Sequence, residues 1–431
     1  MIDCRINMGA DEGSLGSVMM NWKDLYAERV SWVTSSAISD MLRLTQQADV
    51  ISFSGGLPAP ELFPVERFRQ AADLVLRVYG ERALQYSPTE GYSPLRRWIA
   101  SSLNRHGAGI DESNVLITTG SQQATELIGR LLIDEGDPVL VESPTYVGAL
   151  QAFGVYRPRF VVVPNDADGL LVRELEPFLA LEPKFLYVLP NFQNPSGTTL
   201  PLARRQDLVS LSHSWGVPVV EDDPYSQLRY EGEPIPPLLA LDAQANGVER
   251  RYAGTVLYHG TLSKLLAPGL RVGWVVAASE VIQQLAALKQ GVDLHTGTLA
   301  QMIAYEVAKG GFLEQHVDRL VQIYQGRRDV MLEAMEAYFP AEVRWTRPKG
   351  GLFILVTLPA GIDARDVLLE SLKQMVAFVP GDSFFPTGGG ENTFRLNFSN
   401  AKPDRIVEGI RRLGSALETF CRAAGRGNSR E

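Results

Sequence analysis

Short runs of Val, Ile and Leu recur along the first two thirds of the chain and alternate with stretches of helical periodicity. VLIT at 115–118, PVLVESP at 138–144, RFVVVP at 159–164, FLYVLP at 185–190, VPVVEDD at 217–223, TVLYHGT at 255–261 and VGWVVAA at 272–278 predict strands. Between them, residues 65–80, 94–105, 121–133, 149–154, 172–180 and 203–216 predict helices. An amphipathic pattern from Trp22 to Thr45, with Ile38, Met41, Leu42 and Leu44 at helical spacing, predicts a further helix near the start. ISFSGGLPAPELFP at 51–64 reads otherwise, because Pro58, Pro60 and Pro64 forbid regular structure and Gly55-Gly56 make a turn.

Strands this apolar, alternating with helices, belong to a mostly parallel sheet covered on both faces. In such sheets the loops at the carboxyl ends of the strands hold the ligand. The residues with chemistry to offer fall there: Ser121-Gln122, Pro144 to Tyr146, Asn191 to Asn194, Asp222 to Tyr225 and Thr261 to Lys264. After about residue 280 the character changes. A helical region at 281–338 is followed by strand-like RPKGGLFILVTLP, VAFVPGDSF and NTFRLNFS, alternating with helices at 364–375 and 403–423. The expected class is therefore α/β, with a large domain and a smaller α+β domain. The division is a leader at 1–20, an N-terminal helix and loop at 21–60 packing with the small domain, a large domain at 61–325 and the small domain at 326–431.

Charge and cysteine content narrow the setting. The 431 residues carry 41 basic and 50 acidic side chains, a net charge of -9 that argues against a nucleic-acid surface. Cys4 and Cys421 are the two cysteines, too few for a disulfide framework, so a reducing cytoplasm is expected. No apolar run approaches the roughly 18 residues of a membrane span. The first twenty residues read as a poorly ordered leader, neither signal nor transit peptide.

YHGTLSKLLAPGLRVGW at 258–274 carries the sharpest chemistry. A lysine with apolar neighbours and a nearby cation, here Lys264 with Arg271, holds its proton less tightly, and a neutral amine attacks carbonyl carbon. A lone lysine of this kind is more often a snorkelling side chain. The other candidates are equally plain in isolation. Asn194 in QNPSG reads as a turn, Tyr146 in SPTY as core, and Arg395 in TFRLNFS as a strand's solvent face or a carboxylate ligand. Asp222 in VVEDDPY follows apolar strand positions and so needs a cationic partner, for which a protonated ring nitrogen would serve. Gly120 reads as a turn and Ser121 as the N-cap of a helix whose start is suited to phosphate. The five histidines show no metal-ligand spacing. His295 in VDLHT reads as a structural loop residue at a subunit contact.

Taken in order, GSQQA, SPTY, NPSG, EDDPY, TLSK with GLRVGW, and FRLNF resemble the class I/II aminotransferases, enzymes of pyridoxal-phosphate (PLP) fold type I. The resemblance runs from about Trp22 to the C-terminal helix. Within the family the chain is most similar to the 2-aminoadipate/kynurenine branch, through SFSGGLPAPELFP, LQYSPTEGY, ITTGSQQA, VDLHT and RPKGG. The resemblance implies Lys264 as the Schiff-base lysine and proton shuttle, and Asp222 at the pyridine nitrogen. It implies Asn194 and Tyr225 at the phenolic oxygen and Tyr146 stacked on the ring. Ser121, Gln122, Thr261, Ser263 and Arg271 would hold the phosphate, while Arg395, Asn194 and the Gly56 backbone would hold the substrate carboxylate. Tyr86 would reach the phosphate site of a partner subunit, which implies a homodimer with shared active sites.

Two positions depart from the family pattern. Thr261 stands where Ser is usual and keeps the hydroxyl. In TSSAISDMLRLT, Ser39 stands where aminoadipate-type relatives place an arginine for a side-chain carboxylate, with Arg43 one turn on. The implied reaction moves an amino group from an L-amino acid (2-aminoadipate, aromatic, or branched and neutral) to a 2-oxo acid such as 2-oxoglutarate by a ping-pong cycle. A PLP-dependent lyase is the alternative, since the fold does not decide the outcome. An effector-sensing domain of a transcription regulator is a third reading. Such regulators place a basic DNA-binding element of roughly 70 residues before this fold, whereas here some twenty residues, with Arg5 against Asp3, Asp11 and Glu12, precede the first expected helix.

Overall fold

The computed structural model describes residues 20–32, 49–245, 247 and 251–427. Strand β1 (Ile51–Ser52) precedes the helices Val65–Leu84 and Ser93–Asn104. Then follow β2 (Val115–Thr118), β3 (Pro138–Val141), β4 (Arg159–Val162), a small hairpin of β5 (Asn165–Asp166) and β6 (Gly169–Leu170), β7 (Leu186–Val188), β8 (Val219–Asp222), β9 (Val256–Thr261) and β10 (Gly273–Val276). Seven of these form one sheet in the order β2-β10-β9-β8-β7-β3-β4. All neighbours from β4 to β9 run parallel, and β10 is antiparallel to both β2 and β9. Every residue of β2, β7, β8, β9 and β10 is buried, which is why these strands read as unbroken apolar runs rather than alternating ones.

The C-terminal region contributes β11 (Arg344–Trp345), β12 (Phe353–Thr357), β13 (Val376–Ala377), β14 (Val379–Pro380) and β15 (Thr393–Asn397), four of which form a second sheet. Its order is β11-β12-β15-β14, and β13 pairs instead in parallel with β1, so the N-terminal chain returns to this region. The helices Phe312–Tyr338 and Pro403–Gly427 pack against each other, and the second of them also meets β1 and β13.

Four local expectations change. Of the helix expected from Trp22 to Thr45, residues 33–45, with Ile38, Met41, Leu42 and Leu44, lie outside the described residues; over 22–32 the chain forms two 3-10 turns, Trp22–Leu25 and Glu28–Trp32, separated by extended Tyr26. Trp22 is 63% exposed and Leu25 62%, and a short segment that buries no apolar side chain has little to hold it in a helix. The predicted helix over 172–180 is a 3-10 turn, Val172–Glu174, and one α-turn, Glu176–Leu179. The helical region after 280 divides into Ser279–Asp293, Thr298–Ala308 and Phe312–Tyr338. The breaks fall at Leu294 (φ 65°) and at Gly310-Gly311, both outside helical dihedrals. Finally, the helix Ser121–Leu132 is capped by Gly120 (φ 80°), with Ser121 its first helical residue.

Candidate active site

The carboxyl ends of β2, β3, β7, β8 and β9 converge on a cavity of about 310 Å³ that also touches Gly56, Phe353 and Arg395 from the second region. Lys264 follows β9 on a turn, and its Nζ donates to the Gly56 carbonyl at 2.8 Å. Crowding by protein atoms, then the charges of Arg395 and Arg271, bring its pKa down from 10.5 to about 8, with Asp222 opposing. All three lowering effects have a simple sense, since each disfavours the charged ammonium, burial by removing its water and the two arginines by like charge.

Asp222 ends β8. Its Oδ2 accepts from the Tyr187 hydroxyl at 2.7 Å, and its Oδ1, equally buried, has no hydrogen-bond partner. Burial pushes the carboxyl pKa upward, while nearby His259 and the Tyr187 bond act against that rise. A buried acceptor left bare is costly, so this oxygen is suited to a donor arriving in the cavity.

Arg395, on β15, is fully buried. Nη1 donates to Asn194 Oδ1 at 2.8 Å and Nη2 to the Ser54 carbonyl at 2.6 Å, while Nε is unpartnered. The guanidinium lies 4.2 Å from the centre of the Phe353 ring. Burial lowers its pKa to about 10, still charged at neutral pH. Tyr225 meets Phe353 edge-on, with ring centres 5.9 Å apart; burial drives its phenol pKa well up. Tyr146 lines the same cavity, and burial raises its pKa too.

At the opposite end stand four oxygen and nitrogen donors. Thr261 Oγ1 and Ser263 Oγ lie 2.8 Å apart, beside Ser121 and Arg271. Gly120 makes this corner possible: a Cβ there would fall 2.5 Å from Arg271 Nη2. The start of the helix Ser121–Leu132 opens here, offering backbone N–H groups to an anion. Gln122 spends its side chain on the Gly148 carbonyl at 2.8 Å, leaving its backbone for that purpose.

The cavity thus gathers Lys264, Asp222, Tyr225, Ser121, Gln122, Tyr146, Asn194, Thr261, Ser263, Arg271, Gly56 and Arg395. Tyr86 lies outside it, 77% exposed and packed edge-on against His295. Ser39 and Arg43 fall outside the described residues. Three residues were not singled out from the sequence: Tyr187, Phe353 and His259. Tyr187 and Phe353 sit in ordinary apolar strands and carried no signal. His259 did, since period-two alternation puts it on the same strand face as Thr261.

Among the described residues no three His, Cys, Asp or Glu side chains group as a metal site, and no helix is long and apolar enough to cross a membrane. What the cavity offers is an amine near neutrality, a bare buried carboxylate oxygen and an anion corner. These fit PLP, whose aldehyde, ring nitrogen and phosphate call for those three partners.

Comparison with known proteins leads to the same place. The chain belongs to the aminotransferase class I and II family, whose model matches residues 48–413. It is 46% identical to the 2-aminoadipate transaminase of Thermus thermophilus over 93% of this chain and 98% of that one. It is 41% identical to aromatic-amino-acid aminotransferase 1 of Thermococcus litoralis, over 93% and 95% respectively. The alpha-aminoadipate aminotransferase structure from Thermus thermophilus, complexed with N-(5'-phosphopyridoxyl)-L-leucine, superposes with a TM-score of 0.87 at 44% identity, covering 94% of this chain and all of that one. The protein is a PLP-dependent aminotransferase of fold type I.

Proposed function

We propose that this enzyme takes the amino group of a monocarboxylic L-amino acid, aromatic or branched, and passes it to a 2-oxo acid such as 2-oxoglutarate in a ping-pong cycle. The observation that carries this reading is the arginine inventory of the cavity. Among the described residues two guanidiniums line it, Arg395 beside Asn194 and Arg271 at the anion corner. Arg395 suits the α-carboxylate and Arg271 a phosphate, which leaves no lining arginine among the described residues for a second substrate carboxylate. Ser39, in place of an arginine, agrees. The names of the relatives leave both aminoadipate and aromatic donors open.

When bound, PLP supplies an aldehyde for the amine and a ring that draws electrons from the substrate Cα. The rest falls to the chain. Lys264 Nζ holds and returns the Cα proton, for which a pKa of about 8 is well placed. Asp222 Oδ1 would accept from the ring nitrogen and keep it protonated. Asn194 and Tyr225 would hold the phenolic oxygen, with Tyr146 beside the ring. Ser121, Thr261, Ser263, Arg271 and the Gln122 backbone would hold the phosphate. Arg395 exchanges a backbone carbonyl for the substrate carboxylate, helped by Gly56. We further propose a homodimer in which Tyr86 of one subunit completes the phosphate corner of the other, working in the cytoplasm.

The test is a donor panel of phenylalanine, kynurenine, leucine, glutamate and 2-aminoadipate. It is scored by the change in bound-cofactor absorbance and by the 2-oxo acid released. Leucine, kynurenine or phenylalanine should exceed 2-aminoadipate in kcat/KM by about tenfold, the effect of one unmatched charge; a preference for 2-aminoadipate overturns the donor assignment. Lys264→Ala should abolish both the absorbance and turnover, and retention of both would refute the site.

A further inference from the structure

His259 occupies the middle of β9, between Tyr258 and Gly260, and is fully buried. The β8–β9 register places it opposite Asp222. Its Nδ1 lies 3.4 Å from Asp222 Oδ1, and neither ring nitrogen makes a hydrogen bond. Asp222 Oδ1 is likewise without one. Two bare polar groups therefore face each other in the interior of a strand where an aliphatic side chain would pack at no polar cost.

The surroundings leave His259 no other use. Asp223, the next carboxylate, is already engaged: Oδ1 accepts from Asn191 Nδ2 and the Ser226 backbone, and Oδ2 from the Tyr258 hydroxyl. The other oxygen of Asp222 is taken by Tyr187. Val275, paired with His259 from β10, is apolar. What remains is Oδ1, on a residue that lines the cavity at the end of β8, and its two lone pairs are enough for one donor from behind and one from the cavity.

We propose that His259 is a positioning residue for Asp222. As the neutral Nδ1–H tautomer it donates to Oδ1, holding the carboxylate ionised and its second lone pair aimed into the cavity. Burial favours the neutral imidazole, consistent with that tautomer. The role rests on the reading of the cavity as the PLP site. It would make the grip on the ring nitrogen a three-part device, with Tyr187 fixing one oxygen and His259 the other.

His259→Leu and His259→Asn test it, Leu removing the donor at similar bulk and Asn restoring an N–H near the same point. In the Leu variant the dissociation constant for PLP should rise about tenfold or more, the usual loss when a charge-assisted hydrogen bond goes. The pH midpoint of the bound cofactor's absorbance should move, and kcat should fall with the amino-acid KM little changed. The Asn variant should recover most of each. In the Leu variant, which leaves Asp222 Oδ1 without its donor, the gain in Tm on adding PLP should shrink relative to the parent's. If the Leu variant melts lower without cofactor but keeps the parent's PLP affinity and absorbance midpoint, His259 only packs the strand and the proposal fails. Should the parent itself not bind PLP, the cavity assignment fails instead.

Discussion

At Lys264 three neighbours set the reactivity of one amine. An ordinary lysine at pH 8 is neutral in roughly 0.3% of molecules, whereas a pKa of about 8 leaves half of them neutral. The sign is that of a base with a lowered pKa: neutral amine accumulates as pH rises, and here it does so more than two units early. In the cofactor-free protein, labelling of Lys264 by an amine reagent, followed by peptide mass analysis, should rise with a midpoint near pH 8. A Lys264 midpoint near 10.5 would show that the two arginines and the crowding do not reach it. At this scale much was legible, because Lys264, Asp222, Asn194 and Arg271 stand in short motifs at the ends of apolar runs whose order, rather than any one of them, resembles the family. Phe353 was not, because nothing in FILVT distinguishes a ring that supports Arg395 from one that fills core.

The strand ends show how elements carry these residues and how buried charge is handled between them. Glu142 follows β3 and is buried, accepting from the Leu189 backbone at 3.3 Å beneath the loop that bears Asn194. Burial raises its pKa from 4.5 to about 7, against the bonds from Gln193 and Leu189. A carboxyl whose folded pKa is raised contributes stability fully present below pH 4.5, which is lost as pH climbs through 7. Glu142→Gln cannot titrate. Its stability relative to the parent should therefore improve between pH 5 and pH 8, by on the order of 1–3 kcal/mol, as read from denaturant unfolding at the two pH values. A gap that stays flat would mean Glu142 ionises as if exposed. Element order and type were largely readable from periodicity, and the errors fell where packing decides: the exposed turns from Trp22, and the breaks at Leu294 and Gly310-Gly311.

For the molecule as a whole, one surface stands out. The end of the helix Val65–Leu84 exposes Leu84, close in sequence to exposed Tyr86, and the chain about His295, which packs against Tyr86, exposes Val292 and Leu294. Apolar side chains gathered this way mark a partner surface, and a second copy of this chain would cover them while delivering Tyr86 to its neighbour. Sedimentation at micromolar concentration should give twice the chain mass. Leu84→Asp should shift it toward the single chain and weaken PLP retention by about tenfold or more, as loss of a central interface anchor does. A parent that sediments as one chain would remove the proposed role of Tyr86. Periodicity and motif order by themselves determined the alternation of strands and helices and the placement of chemistry at strand ends, because both depend on neighbours within a few residues. Only the tertiary structure decided which atoms meet: Lys264 with Gly56, Arg395 with Ser54 and Asn194, His259 with Asp222. Those pairings depend on strand register and on two sheets closing over one cavity. A one-residue slip would turn each strand's side chains to the other face, and no local pattern records the register chosen.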